Sequence, residues 1–160
     1  MYKFQPKKPI RSFRDLEVYQ KTLDCAVVYS TAVKPKLVQL KYDLLEGMTN
    51  CALSIPLYIA EAHGMRSSDF KAAVATLEKG MLGCNKMIVY LEQVKGIYGS
   101  QLNLARHPTQ PRQAREEQFI GDLLDELSGR YMDLRGKMFR LEKSWQKFRQ
   151  ADQNLSRLKK

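Results

Sequence analysis

The chain has 160 residues, 44% of them hydrophobic and 28% charged, with 27 Lys and Arg against 17 Asp and Glu and a net charge of +10. That balance is globular, enough for one domain with its own core, and it excludes a low-complexity chain. The longest run without a charge, residues 47–60, spans only about 21 Å as a helix, too short to cross a bilayer.

The charge is concentrated at the two ends. Residues 1–14 sum to +5 through Lys3, Lys7, Lys8, Arg11 and Arg14, residues 135–160 sum to +7, and the body between them is −2. The opening "MYKFQPKKPIRSFRD" is basic but lacks the apolar core of a signal peptide. Cys25, Cys51 and Cys84 are odd in number and show no CxxC spacing. They read as small hydrophobes in a reducing compartment, so a cytoplasmic location is expected.

Residues 1–11 read as a basic tail, residues 12–150 as a four-helix bundle domain, and residues 151–160 as a basic extension of its last helix. Ser12 suits the cap of the first helix, with Asp15 at the third position. Leu16, Tyr19, Leu23, Ala26, Val27, Ser30 and Val33 follow at three-and-four spacing, and Pro35 is expected to end the helix. Val18, Thr22, Cys25 and Tyr29 form a second stripe. It is either additional core or a subunit contact.

The second helix runs from about Leu37 through Leu40, Leu44, Met48, Cys51, Ala52, Ile55 and Ile59, and stops near His63 and Gly64. Pro56 lies inside it, an insertion that costs about 3 kcal/mol in a helix interior. A kink there is expected, with Ser54 serving the freed backbone groups. The third helix opens at Ser67, Ser68 and Asp69 and ends at Gly99; Gly80 and Gly83 inside it allow a neighbouring helix to approach closely. Residues 99–114, with Pro108 and Pro111, read as a loop.

The fourth helix has the cleanest pattern: Phe119, Leu123, Leu127, Tyr131, Leu134, Met138, Leu141, Trp145, Phe148, Asp152 and Leu155 alternate by fours and threes. No strand signal appears. Short connections predict an all-α, up-down-up-down four-helix bundle. Its basic tail, the end of the fourth helix and the turn bearing His63 and Arg66 then share one pole. The fourth helix is also longer than the bundle, so Trp145, Phe148 and Leu155 on its overhang want a partner.

On the face opposite Met138, Leu141 and Trp145, the fourth helix places Arg130, Lys137, Arg140, Ser144 and Lys147 at helical spacing, with Asp133 opposing. With Lys7, Lys8 and Arg11 of the tail, these cations suit a phosphate backbone, whose neutralisation releases counterions whatever the base sequence. Chemistry is not indicated. There is no Glu-x-x-His pair for a bundle metal centre, no Arg four to six residues before His63 or His107, and no phosphate loop or zinc spacing. The expectation is a protein that is not an enzyme, with no metal, cofactor or small-molecule substrate.

"FRDLEVYQ" (residues 13–20) and "SIPLYIAE" (residues 54–61) resemble the two signatures of the bacterial four-helix bundle proteins first noticed as reading frames inside rRNA intervening sequences. Ser54, Ile55, Pro56, Ile59, Ala60 and Glu61 agree with that pattern, while Tyr58 stands for its Asn and Ala62 for its Gly. The basic charge is most similar to the accessory variability determinant branch of diversity-generating retroelements. That resemblance implies a ring-shaped homopentamer that binds a partner reverse transcriptase and its template RNA or cDNA. Val18, Cys25, Tyr29, Trp145 and Phe148 are then the candidate subunit or partner contacts. The other reading is an oligomeric adaptor for a protein partner, with no nucleic-acid role.

Overall fold

The computed structural model describes residues 10–102 and 111–158; Lys7, Lys8 and His107 lie outside them. All regular structure among the described residues is helical: a 3-10 turn at Phe13–Asp15, α1 (Glu17–Val28), a π turn at Tyr29–Val33, α2 (Lys34–Gln39), α3 (Leu45–Met65), α4 (Phe70–Leu102) and α5 (Pro111–Leu158). None of the described helices is long and apolar enough to cross a membrane. The stretch expected as a loop is shorter at both ends, since α4 runs on to Leu102 and α5 opens at Pro111, a first-turn position that suits proline.

The first start signal is met as expected. The Asp15 carboxylate accepts from the backbone N–H of Arg11 and Ser12, both at 2.9 Å, while the Ser12 hydroxyl accepts from Arg14. Asp69 caps α4 in the same manner, accepting from the Ala72 N–H at 3.0 Å.

Pro35 does not end the first helix. It occupies the first turn of α2, directly after the π turn, in which the Lys34 N–H donates to the Tyr29 carbonyl five residues back. Proline lacks the donor for the ordinary bond and crowds the carbonyl four residues earlier, and a turn widened by one residue relieves both. The helix stops instead after Gln39, where Lys41 adopts a left-handed φ of 53°. The Lys41 and Tyr42 N–H groups donate back to the Val38 and Leu37 carbonyls, the bonds that satisfy a helix end of this kind. Leu37 and Leu40 thus belong to the first helical unit, and the next helix begins at Leu45.

α3 continues through Pro56 to Met65. The carbonyl that Pro56 leaves without a donor is that of Ala52, but the Ser54 hydroxyl donates to the Asn50 carbonyl at 2.6 Å. Its service to the freed group is therefore not observed. Close approach by α4 is. A Cβ added at Gly83 would lie 2.7 Å from Ile55 Cγ1, and one added at Gly80 would lie 3.3 Å from Met138 Sδ. Cys51 Sγ also donates to the Gly83 carbonyl at 3.4 Å. Two glycines thus seat α3 and α5 against α4, which offsets their poor helix propensity.

The core is continuous, built from Val18, Cys25, Tyr29 and Leu37 with Met48, Ile55 and Ile59 of α3, Leu77, Met87 and Leu91 of α4, and Leu124, Leu127, Tyr131, Leu134 and Met138 of α5. Burial among neighbouring thiols pushes the Cys84 thiol up to about 12 and raises those of Cys25 and Cys51, so all three stay protonated.

Both apolar stripes on the first helix supply core: Leu16, Ala26 and Val33 of the first are buried, and the second proves to be additional core rather than a subunit contact. Val18, Thr22, Cys25 and Tyr29 point inward and are fully or almost fully buried, whereas Leu23 and Val27 face solvent. Thr22 tolerates the interior because its hydroxyl donates to the Val18 carbonyl at 2.8 Å, and the Tyr29 hydroxyl shares a hydrogen bond with Thr49. Val18, Cys25 and Tyr29 are consequently core and cannot be offered to a partner. Trp145 is also buried within the chain, which leaves Phe148 as the exposed member of that expected contact set.

Candidate nucleic-acid interface

The cations of α5 divide into engaged and unengaged sets. Arg130 is paired with Glu126 one turn earlier. Lys137 is held more firmly: its ammonium lies 2.5 Å from Glu17 of α1 and 3.4 Å from Asp133, and its side chain is only 21% exposed. The hydrogen bond from Lys137, helped by Lys21, pulls the Glu17 carboxyl from 4.5 down to about 2. Lys137 therefore ties α1 to α5. Arg140 and Lys147 are exposed and have no ion-pair partner among the described residues, and Arg11 is exposed beside the first helical turn.

The structure adds cations that the spacing argument passed over. Between Leu134 and Ala151, α5 carries Arg135, Lys137, Arg140, Lys143, Lys147 and Arg149 against a single acid, Glu142. Glu142 is buried and accepts a hydrogen bond from Gln146 at 2.7 Å. The exposed surface of this stretch is thus uniformly positive. Phe139 also faces solvent there, with the Lys143 ammonium 5.2 Å from its ring centre. One signal for this was present in the sequence: a run of cations with one acid, read all round the helix rather than along one stripe.

At the end of this surface lies a groove of about 790 Å³ lined by Ile10, Arg66, Phe70, Trp145, Phe148 and Arg149, together with Ser67, Ser68 and Asp152. The start of the described chain, the α3–α4 turn and residues near the end of α5 therefore meet in one place. Trp145 closes the buried seam of α5. The Arg66 guanidinium stands 5.7 Å from its ring centre and the His63 ring packs edge-on at 6.5 Å. Arg149 lies 4.5 Å over the ring of Phe70. His63 is a packing residue: its Nε2 is buried, and burial together with Arg66 lowers its pKa.

Among the described residues no group of three His, Cys, Asp or Glu side chains is arranged to hold a metal. The chain matches no family model, no curated protein and no solved structure.

Proposed function

We propose that this protein is a non-catalytic, nucleic-acid-binding scaffold that works as an oligomer beside a polymerase. The observation that carries this reading is the surface of α5 from Arg135 to Arg149, where the helix's own one acid, Glu142, is buried while Arg135, Arg140, Lys143 and Lys147 are exposed. A rigid helix bearing long cations suits a phosphate chain irrespective of base sequence, and its affinity must fall with salt. The resemblance in "FRDLEVYQ" and "SIPLYIAE" gives the partner its class: a retroelement reverse transcriptase with its template RNA or cDNA, as in accessory variability determinants.

The subunit arrangement belongs to the same reading. Contacts of Gly83 with Ile55 and of Gly80 with Tyr58 and Met138 support an up-down-up-down order. Leu23 and Val27 on α1, Leu53 and Leu57 on α3, and Leu82 and Val89 on α4 are exposed apolar side chains, the kind of surface that a homopentameric ring covers. Those same side chains favour the second reading, an oligomeric adaptor for a protein partner, if RNA proves not to bind.

The experiment is anisotropy of a labelled unstructured RNA across a salt series. Tight binding that falls log-linearly with salt is expected. Replacing Arg140, Lys143 and Lys147 together with Glu should reduce the slope of log affinity against log salt by about 2, since each cation withdrawn from a single strand removes about 0.7. Unchanged affinity in that variant removes α5 from the interface, and absence of binding at low salt leaves the adaptor. Lys137 is left out because its reversal would set Glu against Glu17.

A further inference from the structure

The groove at the end of α5 has features that a phosphate-tracking surface does not require. Phe148 is 69% exposed although it occupies a seam position of the helix. It stands beside two guanidinium groups that lie over aromatic rings, Arg66 on Trp145 and Arg149 on Phe70. Among the described residues neither arginine has an ion-pair partner, and Asp152 is the one acid on the groove's lining. Packed against the rings, both guanidiniums are held in place and still present N–H donors, which suits planar or phosphate oxygens.

We infer that this groove takes an unpaired nucleotide of a single-stranded nucleic acid, with its base on the open face of Phe148 and its phosphate at Arg66 and Arg149. The inference rests on the reading of the protein as a nucleic-acid binder and gives that surface a preference for unpaired strands. Its volume of about 790 Å³ lies within the range of roughly 300–1,000 Å³ usual for small-molecule sites. Charge selects an anion, and the exposed ring selects one that carries a flat π face. A duplex satisfies the first requirement but not the second, because its bases are already stacked. An acidic peptide likewise supplies charge without a flat ring at each residue.

The test compares a labelled unstructured RNA with a fully paired RNA duplex of the same length, using wild type, Phe148→Ala and Phe148→Tyr. Because Phe148 faces solvent, its truncation leaves the core intact, which circular dichroism checks. Wild type is expected to prefer the single strand. Phe148→Ala should weaken single-strand binding about tenfold, in line with the loss of one base–aromatic stack, and leave duplex binding and the salt slope within twofold. Phe148→Tyr should restore the single-strand affinity. A 2-aminopurine placed in the strand should be quenched on binding wild type and not on binding Phe148→Ala.

Unchanged single-strand binding in Phe148→Ala, or an equal fall for strand and duplex, overturns the groove as a base site while the cationic interface stands. Failure of wild type to bind either RNA, with Phe148-dependent binding of a polyglutamate peptide, overturns both readings together.

Discussion

Residues 123–145 and 146–157 of α5 share one helix and one apolar rhythm, yet the first stretch is core and the second faces solvent. Leu127, Tyr131, Leu134 and Met138 are fully buried or nearly so, whereas Phe148 and Leu155 at equivalent positions are 69% and 57% exposed. The change comes where the opposing helices stop. α3 ends at Met65 and α4 begins at Phe70, so Trp145 is the last seam residue with a ceiling, made by His63 and Arg66. Their cations differ as well: Arg130 pairs with Glu126 of the same helix and Lys137 with Glu17 of α1, whereas Lys147 and Arg149 have no ion-pair partner among the described residues. Periodicity belongs to one helix; burial belongs to what stands opposite.

The contrast is sharpest in the core. Leu134→Ala should cost about 2–5 kcal/mol in denaturant unfolding through lost burial and a cavity, while Leu155→Ala stays within about 0.5 kcal/mol. Equal losses would mean that the outer stretch is covered after all. Tyr131→Phe probes the inner stretch from the other side. Its hydroxyl is buried without a hydrogen-bond partner among the described residues, so removing that oxygen should raise stability by about 1 kcal/mol; a loss would expose a partner for the hydroxyl. Truncation after Gln150 should leave the melting temperature within about 2 °C, because the removed turns bury little.

The smallest expected effect concerns the tie between α1 and α5. Glu17 titrates at about 2 in the folded chain against an ordinary 4.5. Its contribution to stability is therefore complete above pH 4.5 and is lost as the pH falls toward 2. Glu17→Gln should flatten that part of the acid unfolding curve and change little at neutral pH, because the Glu17 side chain is solvent-exposed and water screens the pair. An unaltered acid limb would show that Lys137 is not bound to Glu17 in solution.

Much of this was legible in residue spacing. Ser12 and Asp69 announce helix starts because capping chemistry is local, and the inner seam of α5 is readable because fours and threes can be counted. Gly80 and Gly83 signalled close packing through their cost in a helix. Three things were not legible. Leu16, Ala26 and Val33 share a stripe with Leu23 and Val27, and only the neighbouring helices decide that the first three are core and the last two face solvent. Lys137 looks available until Glu17, 120 residues away, is found beside it. Phe148 continues the seam in sequence, and its exposure depends on how far two other helices extend. Of the expected interface residues, Arg140 and Lys147 are exposed and unpaired among the described residues, Arg130 and Lys137 are engaged, and Lys7 and Lys8 lie outside them.

The π turn at Tyr29–Val33 carries a consequence for how this chain can change in length. A π turn is an ordinary helix with one residue added. Deleting a residue within it, with Pro35 replaced by a residue that can donate, returns the backbone to regular winding and lets α2 keep its face, with Leu37 still directed into the core. A deletion inside α1 has no such slack: it rotates the residues before it by about 100° relative to those after it and turns Val18, Thr22 and Cys25 toward water. Among natural variants of this chain, single-residue gaps in the first forty positions should therefore fall on that turn.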